Sequence, residues 1–329
     1  MKKSRWATFM VAAMMLVGSL PLVTTAGTTE ESFDEWLKEL RIEALTRGIE
    51  VKTLEAALAG VKPIPRVLEL DRNQPEFTLS FAQYRSRVIN QSRINMGRKL
   101  MAEHRALLEQ VGRKYGVQPR FIVALWGIES DFGRQTGGFQ VIASLATLAH
   151  DGRRSAFFRR ELFKALQILN EGHIAPAEMK GSWAGAMGQS QFMPSSFLNF
   201  AVDFDRDGRR DIWNSRPDVF ASIANYLSSS GWLVDQTWGR AVRLPENFDQ
   251  DLIGLNTSKR IGQWQELGVR QDDGAKLPAR QLRASIIIPE RDRPEVAFMV
   301  YSNFRATLKW NRSIFFASAV GLLSDAIAK

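Results

Sequence analysis

The spacing of apolar residues along the chain predicts helices over most of its length. Ser32 and Glu35 have the spacing of a capping box, and apolar side chains recur behind them at helical intervals until Gly48. Residues 121–128 are apolar almost all round and follow Pro119, which suits the first turn of a helix, so we expect a buried helix there. Further helical patterns occupy residues 90–115, 161–169, 219–227 and 314–327.

The pattern changes after Gly231. Proline and glycine interrupt residues 232–301, and β-type apolar runs occur at 284–288 and 296–301. Helical spacing returns at 314–327, and we expect this last helix to pack on the earlier ones. The sequence therefore predicts a mainly α fold with a small β subdomain, in the α+β class.

The N-terminus has the parts of an export signal. Lys2, Lys3 and Arg5 precede an apolar run over residues 6–23, and small residues then suit cleavage after Ala26. An uncleaved membrane anchor is the alternative, but a run that contains a glycine and a proline is marginal for a spanning helix. The chain has no cysteine, which excludes a lipidated cysteine, disulfides and a thiol nucleophile. We expect residues 1–26 to be a signal peptide, and the mature protein to be periplasmic, without a lipid or a stable membrane anchor.

The net charge narrows the class of partner. The whole chain carries +9, and removal of the three N-terminal cations gives 9 − 3 = +6. A basic exported protein suits an acidic partner outside the cytoplasm, such as cell-wall carboxylates or a membrane surface. Nucleic acid would suit the charge but not the export signal, so it is not an expected partner. The basic residues are scattered, and most of them are accounted for by an ordinary solvated surface.

Glu129 is the first candidate for chemistry. It stands at the end of the apolar helical segment, close to Trp126 and Ile128. Desolvation by these neighbours and the negative end of the helix dipole should both raise its pKa. A carboxylic acid that stays protonated near neutral pH can protonate the leaving oxygen of a glycosidic bond. A structural carboxylate that hydrogen-bonds a nearby loop is the alternative, and this feature alone favours it.

A second candidate is an acidic loop that matches the first part of an EF-hand. Asp203, Asp205 and Asp207 occupy positions one, three and five, and Gly208 at position six permits the sharp turn. Arg209 would offer its backbone carbonyl at position seven. The sequence predicts a bound calcium ion here, with a flexible acidic turn as the alternative.

The end of this loop departs from the standard pattern. Asp211 stands at position nine, but position twelve is Asn214 rather than a bidentate glutamate. Asp218 could reach back to the ion, serve as a helix N-cap, or do both. Because the motif occurs once, we expect a structural ion rather than a calcium switch.

Residues 181–195 form a glycine-punctuated loop. The loop lacks the lysine of a phosphate-binding loop, and Phe192 breaks the nucleophile-elbow pattern. It could present amide and hydroxyl groups to sugar hydroxyls, or it could be a structural turn. The histidines His104, His150 and His173 do not have zinc-site spacing.

Taken together, these motifs resemble those of the B-type lytic murein transglycosylases. The resemblance extends through nearly all of the chain after the signal. Its segments are residues 71–77, 126–133, 144–149, 185–195, the acidic loop, 224–227 and 309–313. Some family members carry a C-terminal peptidoglycan-binding module, and we do not expect one after the last helix here.

The resemblance implies a lysozyme-like helical core, with the acidic loop as an EF-hand-like calcium site and no organic cofactor. It implies a helical N-terminal domain over residues 27–104, a catalytic core over 105–231 plus 302–329, and a small β subdomain over 232–301. Glu129 would be the catalytic residue, and Ser182, Gln191, Tyr226 and Asn311 match positions that line the saccharide cleft.

The resemblance also implies the reaction and its partners. One carboxyl group would protonate the oxygen leaving C1 of N-acetylmuramic acid and then deprotonate the 6-hydroxyl, which closes a 1,6-anhydro ring. The acetamido oxygen of the sugar would assist at C1, so a second carboxylate is not needed. Asp131 was the nearest candidate for one, but two residues further along a helix it would point elsewhere. The partners would be peptidoglycan glycan strands and, in addition, proteins of cell-wall synthesis or remodelling. A lysozyme-type hydrolase and a non-catalytic, calcium-stabilised glycan-binding protein are the competing hypotheses.

Overall fold

A computed structural model describes residues 32–73, 79–290, 293 and 295–329 of the chain. The predicted signal peptide and residues 74–77 of the first family segment lie outside the described residues. The α-helices are α1 (Phe33–Thr46), α2 (Val51–Leu58), α3 (Pro65–Arg72), α4 (Phe81–Val88), α5 (Gln91–Glu103), α6 (Arg105–Tyr115), α7 (Pro119–Ser130), α8 (Val141–His150), α9 (Ser155–Asn170), α10 (Pro194–Phe200), α11 (Arg216–Ser229), α12 (Ile261–Glu266), α13 (Ser302–Trp310) and α14 (Ile314–Ala328). The strands are β1 (Phe139–Gln140), β2 (Lys180–Gly181), β3 (Gly239–Arg243), β4 (Lys259–Arg260), β5 (Arg270–Gln271), β6 (Arg283–Ile287) and β7 (Ala297–Val300). The predicted fold class, helical with a small β part, is confirmed.

Local sequence signals account for where several helices begin and end. The Ser32 side chain accepts a hydrogen bond from the Glu35 backbone at the start of α1, as the sequence predicts. Asn90 caps α5 in the same way, through the backbone N–H of Arg93. Gly116 ends α6 in the left-handed conformation, at φ 67°.

The predicted helix over residues 90–115 is two helices. The break lies at His104, which ends α5 and precedes α6 with φ −99° and ψ 20°. Its N–H still bonds the carbonyl of Leu100, and the apolar face continues on both sides of the break. Periodicity therefore gave no sign of the interruption.

The described residues form two compact units, and each is treated by itself. The first contains the described parts of residues 1–75 and 129–222. Its centre is the pair α8 and α9, against which α2 and α10 pack, while α3 packs on α8. Leu145, Leu162 and Leu166 are fully buried in this core. The short strands β1 and β2 pair antiparallel, and the glycine-punctuated loop begins at the end of β2.

The second unit contains the described parts of residues 76–128 and 223–329. Its five-stranded antiparallel sheet has the order β4-β6-β7-β3-β5. Trp264 on α12 is fully buried against this sheet and donates from its indole nitrogen to the Ala284 carbonyl at 2.9 Å. Helix α14 packs on α4, α5 and α13, as predicted for the last helix.

Two helices cross the boundary along the chain. Helix α7 leaves the second unit after Ile128, so that Glu129 and Ser130 belong to the first. Helix α11 passes from the first unit to the second after Ser222. No helix among the described residues is long and apolar enough to cross a membrane.

Candidate active site

Glu129 is the penultimate residue of α7, the helix whose apolar sequence predicted burial. The side chains from Phe121 to Trp126 are completely buried, whereas Glu129 itself is half-buried. The helix therefore carries one carboxyl group from a dry interior to a surface that a ligand can reach. This placement suits an acid that meets a substrate from solvent.

The chain turns sharply after α7. Asp131, Phe132 and Gly133 all have left-handed backbones, with φ of 52°, 60° and 82°, and we call residues 131–133 the elbow. Two consecutive non-glycine residues in this region cost about 1 kcal/mol or more each. Burial of the Phe132 ring and a 3.0 Å bond from the Gly133 N–H to the Ser130 hydroxyl hold the elbow in this conformation.

The elbow corrects one step of the sequence argument. Asp131 does not lie on the helix, because α7 ends at Ser130. Its carboxylate forms an ion pair with Arg134 at 2.7 Å. This ion pair gives Asp131 a role in the turn. Asp131 is therefore discounted as a nucleophile because its carboxylate is paired, and not because of helical geometry.

Ser130 joins the end of α7 to the glycine-punctuated loop. Its hydroxyl donates to the Gln189 carbonyl at 2.6 Å, and both residues are buried. The Gln189 side chain in turn donates to the Trp213 carbonyl at 2.6 Å and accepts from Arg216. A β-carbon on Gly133 would lie 2.4 Å from the Gln189 side-chain oxygen, so only glycine fits beside this bridge.

The loop itself is rigidly built. Ser182 is buried and its hydroxyl accepts from the Ala186 N–H at 2.9 Å, closing a tight turn. Gln191 is also buried, has a left-handed backbone, and donates from its amide to the carbonyls of Thr136 and Gly188. Its side-chain oxygen is buried without a hydrogen-bond partner among the described residues. An acceptor in this state suits a ligand that brings an N–H or O–H group.

The acidic loop gathers three of the predicted metal ligands. Oxygen atoms of Asp203, Asp205 and Asp218 all lie within 4.8 Å of one another. Two oxygens bound to one calcium ion at about 2.4 Å are at most about 4.8 Å apart, so the group fits around one ion. Hard carboxylate oxygens are also the donors that calcium prefers.

Asp207, the remaining carboxylate among the predicted ligands, lies outside this group. The Asp207 carboxylate accepts from the Arg209 N–H at 2.9 Å and faces its guanidinium at 3.6 Å. Asp211 accepts from the backbone of Trp213 and Asn214, which makes it a turn residue.

Asp218 is completely buried at the start of α11, and the proposed N-cap role is wrong. It is the third residue of the helix, and its N–H is 3.4 Å from the hydroxyl of Ser215, the residue before the helix. Its carboxylate accepts from the backbones of Phe204 and Asp211, both at 2.7 Å. Burial raises the pKa of Asp218 to about 6, and these hydrogen bonds oppose that shift.

Tyr226 and Asn311, the remaining predicted cleft residues, belong to the second unit. The Tyr226 hydroxyl donates to the Lys309 carbonyl at 2.7 Å, and its ring lies 4.6 Å from that of Trp310. Asn311 is buried and its side-chain oxygen accepts from the N–H of Ser313, the residue that caps the last helix. Tyr226 therefore contacts the last turn of α13, and Asn311 is the residue that follows this helix.

Sequence reasoning missed the bridge between α7 and the loop. Ser130 and Gln189 lie within the family segments 126–133 and 185–195, but the sequence assigns neither of them a role. The available signal was a small polar residue that directly follows an apolar helix, since such a side chain is buried only when its hydrogen bonds are satisfied. The partner of Ser130 could not be found this way, because it lies 59 positions away in sequence.

Comparison with known proteins identifies relatives over most of the chain. Residues 32–325 match the family model described as the Transglycosylase SLT domain. The chain is 30% identical over 298 residues to membrane-bound lytic murein transglycosylase B of Escherichia coli K12, covering 85% of this chain and 79% of that protein.

Solved structures give the same result. SltB3 from Pseudomonas aeruginosa, in complex with NAG-anhNAM-pentapeptide, is 44% identical with a TM-score of 0.87, covering 91% of this chain and 80% of that one. Lytic transglycosylase Slt35 of Escherichia coli, in complex with calcium, is 28% identical with a TM-score of 0.76, covering 89% and 92%.

Proposed function

Because the chain belongs to the Transglycosylase SLT domain family, we propose that it is a lytic murein transglycosylase. It cleaves the β-1,4 bond between N-acetylmuramic acid and N-acetylglucosamine in peptidoglycan without consuming water, and leaves 1,6-anhydromuramic ends. The observation that carries this proposal is the family match over residues 32–325. The relatives named above, a murein transglycosylase and a structure holding an anhydro-sugar peptide, support the same activity.

Glu129 performs both proton transfers in this proposal. Its carboxylic acid gives a proton to the glycosidic oxygen as the bond from C1 to that oxygen breaks. The resulting carboxylate then takes the proton of the 6-hydroxyl on the same muramic acid, and O6 bonds to C1. The acetamido oxygen of that sugar stabilises C1 between the two steps. The acid is regenerated, and no second carboxylate is required.

Mass spectrometry of digested peptidoglycan tests the reaction. We expect anhydromuramic ends from the wild type and a loss of about a thousandfold or more in rate for Glu129→Gln, because the amide cannot transfer the proton. Glu178→Gln, at an exposed glutamate of the same unit, is the matched control and should retain full activity. Reducing muramic ends would show a lysozyme-type hydrolase instead. Unchanged turnover with Glu129→Gln would show a non-catalytic glycan-binding protein.

Ser182, Gln191, Tyr226 and Asn311 bind the saccharide in this proposal. Support for Gln191 is its buried side-chain oxygen, which lacks a partner among the described residues and can accept from an acetamido N–H or a sugar hydroxyl. Gln191→Leu keeps the volume but removes the acceptor. We expect it to raise KM for glycan strands and, because the amide no longer donates to the carbonyls of Thr136 and Gly188, also to lower Tm.

A structural calcium ion is part of the proposal. Asp203, Asp205 and Asp218 supply carboxylate oxygens. The Arg209 carbonyl and Asp207 would complete the set from the loop, which requires the Asp207 carboxylate to turn from Arg209 toward the ion. The support is the mutual distance of the three carboxylates, together with a relative that has been solved with calcium. Calcium should raise Tm, and Asp203→Asn should abolish that rise. The control Asp251→Asn, at an exposed aspartate of the second unit, should preserve it. A Tm that does not respond to calcium or chelator would remove the metal from the proposal.

The proposed location is the periplasm, where this substrate lies, and the basic N-terminus with its apolar run supports export. Proteins of cell-wall synthesis or remodelling are the proposed protein partners. Fractionation of cells that express the full chain tests the location, and recovery of the protein in the cytoplasmic fraction would refute it.

A further inference from the structure

A cavity in the second unit has the features of an anion site and has no role in the proposed reaction. Its volume is about 390 Å³. Three arginines line it, Arg120, Arg240 and Arg280, together with one acidic residue, Asp235. The lining therefore has a net charge of +3 − 1 = +2.

The three arginines differ in how their charges are compensated. Arg120 forms an ion pair with Asp325 at 2.5 Å, which neutralises the charge of Arg120 within the protein. Arg280 lies 3.9 Å from Asp235, and both side chains are more than half exposed, so this pair neutralises little. The uncompensated charge of the cavity is thus carried by Arg240 and Arg280.

Arg240 is the centre of the site. It lies half-buried on β3 and donates to two neutral groups, the Tyr301 hydroxyl at 2.9 Å and the Gln271 side chain at 3.4 Å. Among the described residues, no carboxylate lies within ion-pair distance of it. A partly desolvated guanidinium without a counter-ion is unfavourable, and a bound anion would remove that cost. The planar guanidinium is also the donor that best matches a carboxylate.

The other lining residues indicate which groups of a ligand, besides its anionic group, the cavity can hold. The side-chain oxygen of Gln236 is buried and has no hydrogen-bond partner in the part of the chain that the structure describes, so it can accept from an N–H group of a ligand. Val234, Pro278 and Leu282 provide apolar walls that suit small methyl-bearing side chains. A cavity of this size holds more than a single small ion.

From these features we propose that the cavity binds the free carboxylate end of a short peptide with small apolar side chains. The guanidinium groups of Arg240 and Arg280 receive the carboxylate, and Gln236 accepts an amide N–H. Peptidoglycan carries short peptides of this chemistry, and this choice of source rests on the proposed function. The site would then select strands that retain their peptides.

A binding experiment tests the site independently of catalysis. The probe is N-acetyl-D-alanyl-D-alanine, titrated into the isotope-labelled full chain and followed by nuclear magnetic resonance, with the C-terminal amide of the same dipeptide as the uncharged comparison. We expect a Kd on the order of 1 mM for the acid and binding at least about tenfold weaker for the amide. Equal binding of acid and amide, or no binding of either, would overturn the proposal.

Matched variants locate the binding. Arg240→Gln and Arg280→Gln should each weaken the acid by about tenfold or more. Arg243→Gln removes the same charge from the same strand, but its exposed side chain lies on the opposite face, so it should bind like the wild type. Because Arg280 is exposed in a loop, Arg280→Gln should leave folding intact, and it still tests the proposal if Arg240→Gln lowers Tm. Wild-type affinity for the acid in both cavity variants would refute the proposal.

A kinetic arm distinguishes the source of the peptide. With peptide-bearing glycan strands, Arg240→Gln should raise KM, while strands stripped of peptide by an amidase should give an unchanged KM. The same KM effect on both substrates, or on neither, would refute the wall peptide as the source. An inactive wild type would contradict the proposed function, but the dipeptide titration would still decide whether the cavity binds a carboxylate.

Discussion

The hydroxyl of Ser130 makes a quantitative prediction, because it is the link between the helix that carries Glu129 and the glycine-punctuated loop. It donates to the Gln189 carbonyl at 2.6 Å and accepts from the Gly133 N–H at 3.0 Å. Ser130→Ala removes both bonds in a site where the serine is 2% exposed. A buried carbonyl without a partner costs about 1–3 kcal/mol, whereas the N–H of Gly133, a half-exposed residue, can regain water.

We therefore expect Ser130→Ala to lower the free energy of unfolding by roughly 1–3 kcal/mol. For domains of this size each kcal/mol corresponds to about 2–4 °C, so Tm should fall by roughly 2–12 °C. Ser144→Ala is the matched control: Ser144 is fully buried on α8, and its hydroxyl has no partner among the described residues. Removal of an unpartnered hydroxyl should change the free energy of unfolding by less than about 0.5 kcal/mol or should stabilise the protein.

Thermal unfolding and kinetics together decide the matter. At a temperature below both transitions, Ser130→Ala should lower kcat on purified peptidoglycan, because the helix end that holds Glu129 is no longer fixed to the loop. KM should change little, since the saccharide contacts are retained. Equal Tm values for Ser130→Ala and Ser144→Ala would refute the energetic reasoning. A normal kcat in a destabilised Ser130→Ala would restrict this serine to a structural role.

The helices were predictable because burial imposes a period on the sequence, and α7 is the clearest example. Its run of completely buried residues from Phe121 to Trp126 is what an apolar segment without a polar face requires. The break at His104 was not predictable, because a change in ψ at one residue leaves the apolar faces of α5 and α6 unchanged. Pattern therefore determines which segments are helical better than it determines where a long helix is divided.

The elbow shows a second limit. Gly133 is a local sign of a left-handed residue, but Asp131 and Phe132 adopt the same region only because tertiary contacts hold them. The elbow is flanked by Gln189, far along the chain, which bonds Ser130 and lies beside Gly133, and a single sequence does not contain this pairing. The position of Glu129 at a helix end was thus predictable, whereas the geometry that follows it was not.

The acidic loop lies between these cases. Its spacing predicted that Asp203 and Asp205 would converge, because the loop is local and its turn is set by glycine. Asp218 joins them from the next helix, which the sequence could suggest but not distinguish from capping. In the structure Ser215, at the helix start, takes the capping role. Asp218, buried in the first turn of the helix, contributes its carboxylate to the acidic group.

Two further predictions use glycines that pack against side chains. Gly133→Ala should lower the free energy of unfolding by roughly 1–3 kcal/mol more than Gly172→Ala. Both glycines have positive φ, but only at Gly133 would the new methyl group lie 2.4 Å from the side-chain amide oxygen of a loop residue. Chemical denaturation measures the difference, and equal losses would contradict the close packing of the elbow. In α14, a β-carbon on Gly321 would lie 2.1 Å from the indole ring of Trp238, whereas Gly262 in α12 has open space around it. Gly321→Ala should therefore destabilise the second unit by about 1–3 kcal/mol or more, since the ring is buried and cannot move aside, while Gly262→Ala should stabilise it by up to about 1 kcal/mol through helix propensity. If both alanine variants unfold at the same denaturant concentration, the indole does not pack on the helix backbone as described.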